Sequence, residues 1–259
     1  MDKIEAFRAL HVPGDPLVLF NVWDAGSAKA VAAAGARAIA TGSYGVACAR
    51  GSSDGENLSL DAALANLAEI LGVTDLPVSI DMESGYGTNP AEVGASVARA
   101  RDLGAAGINI EDRLPGANEL LSVADAAARI GVAAAATGLF VNARCDTFRG
   151  HPESAKGVAA DGATLVAATL ERARVYADAG AGGLFVPFLA DAKCIAAICE
   201  GSPLPVNILW SQSCGNRAAL AALGVARISH GHQPWAAAMA WLQEQAKAVL
   251  GGGVPSYAS

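Results

Sequence analysis

The chain has 259 residues, 18 Lys+Arg against 25 Asp+Glu, a formal charge of −7, and 53% hydrophobic against 17% charged residues. That balance excludes an intrinsically disordered chain, which is charge-rich and apolar-poor, and the acidic sign without a Lys/Arg cluster argues against a nucleic-acid partner. A mean hydropathy of +0.33 raises the question of a membrane protein, but no run reaches the ~18 uncharged apolar residues of a spanning helix.

The opening stretch, MDKIEAFRALHVPGDP, holds no continuous apolar segment of the kind that marks a secretory signal. Residues 1–12 predict a short helix. Short apolar runs then predict strands at 17–21, 38–42, 78–81, 107–111, 140–145, 183–186, 206–209 and 227–229. Each leads into an Ala-rich segment of helical period, near 27–34, 59–72, 90–104, 122–135, 164–180, 190–200, 216–223 and 234–248. Asn89–Pro90 reads as an N-cap with Pro at the first helical position, and Gly35, Gly104, Gly180 and Gly224 stand where helices end. Several strands are wholly apolar, as strands covered on both faces are. Eight strand–helix units in about 250 residues predict a (β/α)8 TIM-type barrel, and the absence of a GxGxxG turn after the first strand argues against a doubly wound sheet. No linker divides the chain, so residues 1–259 read as one domain, with a flexible tail from about 250. The five cysteines (Cys48, Cys145, Cys194, Cys199, Cys214) are odd in number and lack CxxC spacing, which fits reduced thiols in a cytoplasmic protein.

In such a barrel the chemistry sits at the C-terminal ends of the strands. Asp81 and Glu83 are two residues apart at the end of the third, Glu111 ends the next, and Asn142 and Arg144 end the fifth. Carboxylates gathered in one mouth repel unless a cation sits among them, and a hard divalent ion such as Mg2+, with Mn2+ as a substitute, suits oxygen ligands. Asp81 is the expected direct ligand, with Glu83 and Glu111 reaching the ion's waters. Arg144 is expected to face the substrate oxygens and not the carboxylates; by itself it fits equally a partner for Glu111 or Asp146. In the stretch Thr41-Gly-Ser-Tyr-Gly-Val the small residues let backbone N–H groups approach an anion. The polar segment 47–59 reads as a loop that carries Asp54 over the site as a gate. Asn207, at the end of the seventh strand, and His230, after the eighth, complete the polar set. All five lysines fall on helices or connecting loops, which leaves no lysine for Schiff-base chemistry at a strand end.

The pieces Asn21-Val-Trp-Asp-Ala-Gly-Ser-Ala, Thr41-Gly-Ser-Tyr-Gly-Val, Asp81-Met-Glu-Ser-Gly-Tyr-Gly, Gly107-Ile-Asn-Ile-Glu-Asp and Val141-Asn-Ala-Arg-Cys-Asp, in this order, resemble the isocitrate lyase/phosphoenolpyruvate mutase superfamily. The resemblance implies a modified barrel that binds Mg2+ and a small 2-oxo or enol carboxylate. It implies Asp81, Glu83 and Glu111 as the metal site, Ser43, Tyr44 and Gly45 on the substrate carboxylate, Arg144 on the same anion and Asp54 on the gate. It also implies tetramers built from dimers that exchange the last helix, with Trp235 and Trp241 available for the contact. The segment after Glu111 contains neither the Lys-Lys-Cys-Gly-His gate of the lyase branch nor the Lys-Thr-Asn-Ser gate of the mutase branch.

The leading expectation is therefore a Mg2+-dependent lyase or decarboxylase of an oxaloacetate-like acid, with Asp54, Arg144, Tyr44 and His230 as catalytic candidates and Asn142 and Asn207 among the substrate contacts. A P–C bond enzyme acting on phosphonopyruvate and a non-catalytic dicarboxylate binder are the alternatives.

Overall fold

The computed structural model describes residues 2–149 and 162–257. Lys156, assigned above to a loop, and the end of the tail lie outside the described residues. After α1 (Lys3–Ala9) the chain alternates strand and helix: β1 (Leu17–Leu19), α2 (Ala25–Ala33), β2 (Ile39–Ala40), α3 (Ser43–Ala49) and α4 (Leu60–Leu71). It continues with β3 (Val78–Asp81), α5 (Pro90–Leu103), β4 (Gly107–Glu111), α6 (Val123–Thr137), β5 (Phe140–Arg144) and α7 (Gly162–Asp178). The last units are β6 (Gly183–Val186), α8 (Ala192–Gly201), β7 (Val206–Leu209), α9 (Arg217–Ala222), β8 (Arg227–Ser229) and α10 (Gln233–Leu250).

The strands are parallel, in the order β1-β8-β7-β6-β5-β4-β3-β2. The remaining seam, between β1 and β2, is joined near its upper end by a bridge from Val22 to Thr41. This is the eight-unit barrel that the sequence predicts. Local chemistry sets the joints. Asn89 accepts the N–H of Glu92 and Pro90 opens α5; α5 ends at Gly104, whose φ of +110° is costly for a residue with a Cβ. Apolar residues of the strands, such as Val78, Ile80, Ile108, Val141, Leu184 and Ile208, form the core with the inner faces of the helices.

α1 closes the lower end of the barrel. Phe7 is fully buried there, its ring edge-on to Phe140 at 5.5 Å, and His11 stacks on Phe140 at 4.0 Å. Gly107 opens β4 beneath this plug, where a Cβ would stand 2.7 Å from the Phe7 ring. With the lower end shut, the upper, C-terminal end of the strands is the accessible one.

One feature differs from the sequence expectation. Residues 47–49, the start of the segment read as a loop, belong to a helix, α3 (Ser43–Ala49). Seven residues that include a glycine are too few to display a helical period. After α10 the backbone N–H and hydroxyl of Ser256 both donate to Gln245 Oε1, at 2.7 and 2.9 Å, which turns the chain back along the helix. No helix among the described residues is long and apolar enough to cross a membrane.

Candidate active site

The upper ends of the strands surround a cavity of about 130 Å3, lined among others by Ser43, Tyr44, Asp54, Asp81, Asn109 and Arg144. It adjoins a wider cleft bounded by Asp54, Glu83, Glu111, Arg113 and Arg144. Ser43, Asp54, Arg144 and Arg149 belong to both. The cavity is far smaller than the ~300–1,000 Å3 of sites that hold drug-sized ligands. It suits a small acid.

The acids arrive by different routes. Asp81 closes β3; its Oδ2 accepts the N–H of Ser43 at 3.1 Å and its Oδ1 that of Glu83 at 3.3 Å. The ladder to β4 runs on past the strand end, from Met82 N–H to Asn109 O at 3.0 Å and from Glu111 N–H to Glu83 O at 2.8 Å. Glu83 itself has a φ of +48°, so a left-handed turn and not strand alternation aims its side chain. Its Oε2 accepts the N–H of Glu56 at 2.7 Å and its Oε1 the Tyr86 hydroxyl at 3.3 Å. Burial, with Asp81 and Asp54 adding to it, pushes the Glu83 carboxyl up to about 7. Burial also lifts Asp81 above the usual carboxylate range, although Arg144 and the Ser43 N–H pull the other way. Among the described residues Asp54, Asp81 and Glu83 have no Lys or Arg ion-pair partner.

The donor set fits a hard divalent cation: all oxygen, negative, half-buried and mutually repelling. No three His, Cys, Asp or Glu side chains among the described residues stand close enough to hold an ion directly. The fit is therefore to an ion with one or two carboxylate ligands and several waters, as Mg2+ prefers.

Arg144 is held by the carboxylates, contrary to the expectation that it turns away from them. Its Nη1 lies 2.6 Å from Glu111 Oε2, and its Nε and Nη2 grip Asp146 at 2.7 and 3.0 Å. The cause is Asp146, fully buried two residues on, which the planar guanidinium meets in bidentate fashion. Burial works against both charges, yet the pairing outweighs it: Arg144 is held above and Asp146 below its ordinary range. Arg144 still lines the cavity, so it offers a ligand a guanidinium already fixed in place.

Four assigned residues line neither the cavity nor the cleft. The His230 ring packs against Trp210 and Phe20, each at 5.2 Å, and lines a separate groove with Val18 and Ile228. β8 ends at Ser229, which faces inward, so the next residue faces outward. His232, two residues further, lines the cavity instead, with its ring edge-on to Tyr44 at 5.4 Å. Asn142 and Asn207 do point into the barrel but one layer below the cavity, both fully buried and bonded to Asn109 and Ser229. Gly45 packs beneath α3 against Trp235 and Trp23. Besides His232, the sequence reading missed Phe188, whose φ of +66° carries it to the cavity wall.

The segment with Asp54 is pinned. Glu56 Oε1 accepts from Ser84 N–H at 3.0 Å, Ser84 Oγ at 2.7 Å and Tyr86 N–H at 3.1 Å. Asp54 thereby sits at the rim of both spaces.

A family model, phosphoenolpyruvate phosphomutase, matches residues 7–250. An uncharacterized protein of Mycobacterium tuberculosis is 38% identical over 250 residues, 95% of this chain and 90% of its own. An oxaloacetate decarboxylase of Bradyrhizobium is 30% identical over 205 residues, 75% of this chain and 69% of its own. A crystal structure of a Burkholderia cenocepacia protein, provisionally described as a phosphonomutase, superposes with a TM-score of 0.88 at 46% identity, covering 95% of this chain and 97% of that one. With the barrel, the acidic mouth and these matches together, the chain belongs to the phosphoenolpyruvate phosphomutase family, within the isocitrate lyase/phosphoenolpyruvate mutase superfamily of lyases and mutases.

Proposed function

We propose that the protein is a Mg2+-dependent lyase that removes carboxylate from a small 2-oxo acid of the oxaloacetate type. The observation that carries this reading is the cavity: small, with Asp81 and the fixed Arg144 on one wall and the start of α3 on another. Asp81, with Glu83 and Glu111 through water, would hold the cation, which when bound chelates the 2-oxo acid and draws charge toward its oxygens. Arg144, immobilised by Glu111 and Asp146, orients the substrate carboxylate by the N–H groups left free on Nη1 and Nη2. As the bond to the leaving carboxylate breaks, its electrons pass to the neighbouring carbon and the oxo oxygen, and carbon dioxide departs. The resulting enolate takes one proton at carbon to give the 2-oxo product. Tyr44, whose hydroxyl carries a proton and which lines the cavity, is our candidate donor for this step. Phe185, Pro187 and Phe188 supply an apolar wall that keeps bulk water from the carbanion.

The test is oxaloacetate consumption over the Mg2+-only background, with wild type and Asp81→Ala compared. Wild-type turnover with at least a hundredfold loss in the variant is the expected result; equal rates would overturn the reading. Phosphonopyruvate, followed by phosphorus NMR, is the parallel arm: turnover of that compound alone would move the chemistry to the P–C bond. The exposed apolar side chains of α10, Trp241, Leu242, Val249 and Leu250, support a homo-oligomer that covers this helix, which sedimentation of the intact chain would read directly.

A further inference from the structure

Arg227 is the largest fully buried side chain and, among the described residues, pairs with no carboxylate. Its hydrogen-bond partners are neutral, with Nε donating to Ser229 Oγ at 3.2 Å and Nη2 to Asn109 Oδ1 at 3.2 Å, the guanidinium stands 6.0 Å over the Phe7 ring, and the charge that favours it is that of Asp81, acting without contact. Nη1 has no partner among the described residues. An unpaired buried cation is costly, and here burial lowers its pKa to about 9. Its geometry shows what it does.

A guanidinium has donors and no acceptor. The atom of Asn109 that faces Arg227 must therefore be the oxygen. Asn142 Nδ2 donates to that same oxygen at 2.8 Å. Both neighbours thus push the Asn109 amide into one orientation, with Oδ1 down into the barrel and Nδ2 away from it. Asn109 lines the cavity, and its Nδ2 has no partner among the described residues. The same logic reaches Ser229, also on the cavity wall: having accepted from Arg227, its hydroxyl donates to Asn207 Oδ1 at 3.2 Å. A single guanidinium below the floor fixes the polarity of both floor residues.

We propose that Asn109 reads the ligand with its side-chain N–H groups, accepting only an acceptor oxygen, carboxylate or oxo, at the inner end of the cavity, and that Arg227 is its positioning residue. This rests on the reading of the cavity as a site for a small oxo acid. The experiment is calorimetric titration of oxalate in the presence of Mg2+, on wild type, Asn109→Leu, Arg227→Met and the double variant. Asn109→Leu removes the donor, and Arg227→Met leaves the amide free to turn. Each should weaken oxalate about tenfold or more, and the double variant should be no weaker than Asn109→Leu, because Arg227 acts through Asn109. Asn109→Leu also strips the buried Asn142 Nδ2 of its acceptor, so a melting curve of each variant is the folding control, and Asn109→Leu with Asn142→Leu, which removes that orphaned amide, is the second variant to titrate. Equal oxalate affinity in wild type and the double variant would overturn the proposal while leaving the proposed function standing. Additive losses would overturn the positioning role and leave Arg227 as a charge only. A wild-type protein that binds no oxalate with Mg2+ would overturn the proposed function and this inference with it.

Discussion

The pinning of the Asp54 segment gives a quantitative test. Glu56 holds a φ of +57°, Glu83 +48° and Tyr86 +52°, three of the four non-glycine residues with positive φ among those described, and all meet at one joint. Such conformations cost of order 1–3 kcal/mol each and persist only where surrounding bonds impose them. At this joint the bonds are the three that Glu56 Oε1 accepts and the one that its own N–H gives to Glu83 Oε2. Glu56→Gln keeps the shape and one acceptor oxygen but removes the charge. A hydrogen bond to a charged group contributes about 1.5–3 kcal/mol where a neutral one contributes about 0.5–1.5. Even one kcal/mol lost per bond over two bonds gives about 2 kcal/mol, roughly thirtyfold in the opening equilibrium of the segment. Hydrogen exchange of the amides of Ser84, Tyr86 and Glu56 should quicken by about that factor, with the melting temperature almost unchanged, since a surface segment opens without the barrel. Turnover should fall in the same variant if Asp54 works from its place at the rim. Unchanged exchange at these amides would refute the reasoning, for it would mean that the chain stays closed without the charge.

Other expectations follow from the structure as directly. His11 is buried on Phe140, and burial, with Arg227 adding to it, lowers its pKa from 6.5 to about 3. The unfolded chain then binds the proton that the folded one refuses, so stability is complete above about pH 6.5 and falls as pH drops toward 3, by about 1.4 kcal/mol per unit. Urea unfolding at pH 7 and pH 4.5 should show His11→Phe gaining about 2–3 kcal/mol on the wild type at the lower pH; a constant gap would contradict the assignment. Gly107→Ala would place a Cβ 2.7 Å from the Phe7 ring and 2.9 Å from Phe140 O, an overpacking that costs ~1–3 kcal/mol and should lower the melting temperature by several degrees in a thermal scan. His230→Phe should leave turnover intact, because its ring lies in the outer groove, whereas His232→Phe should reduce it; the reverse order in a steady-state assay would restore His230 to the site.

The sequence carried the barrel well because its signals are local and repeated. Apolar strands, capping residues such as Asn89 and C-terminal glycines such as Gly104 recur around the ring, and each pins an element within a residue or two. The acids of the mouth were legible for the same reason: Asp81 and Glu111 end strands. What escaped depends on the exact last residue of a strand. One step beyond Ser229 sends His230 outward, and the histidine at the mouth is His232, carried there by the turn into α10. Depth was equally hidden. Asn142 shares its inward face with Arg144 but stands two residues earlier on β5, about 6.6 Å lower along the strand at ~3.3 Å per residue, and the level of the cavity floor between them is set by the packed side chains of the other strands. The grip of Asp146 on Arg144 is a side-chain choice between two neighbouring acids, which spacing alone leaves open.

The charges of the mouth also fix an order of binding. Asp146 draws Arg113, Arg144 and Arg149, and Glu111 shares Arg144. The cations near the rim are thus committed to two acids, while Asp54, Asp81 and Glu83 stand without a partner among the described residues. An incoming dicarboxylate meets that uncompensated charge. At an effective dielectric of about 20, like charges ~4 Å apart repel by about 4 kcal/mol, roughly a thousandfold in affinity. Arg227 lies a layer below the cavity, where burial already opposes its charge, and offsets only part of this. A divalent cation reverses the sign of the interaction where it sits. Oxalate should therefore bind weakly or not at all to protein stripped with EDTA, and tightly once Mg2+ is added, with Asp81→Asn easing the first and abolishing the second. Calorimetry with and without the ion decides it. Oxalate bound equally well in both conditions would mean that Arg144 alone holds the anion, and the carboxylates would return to a purely structural role.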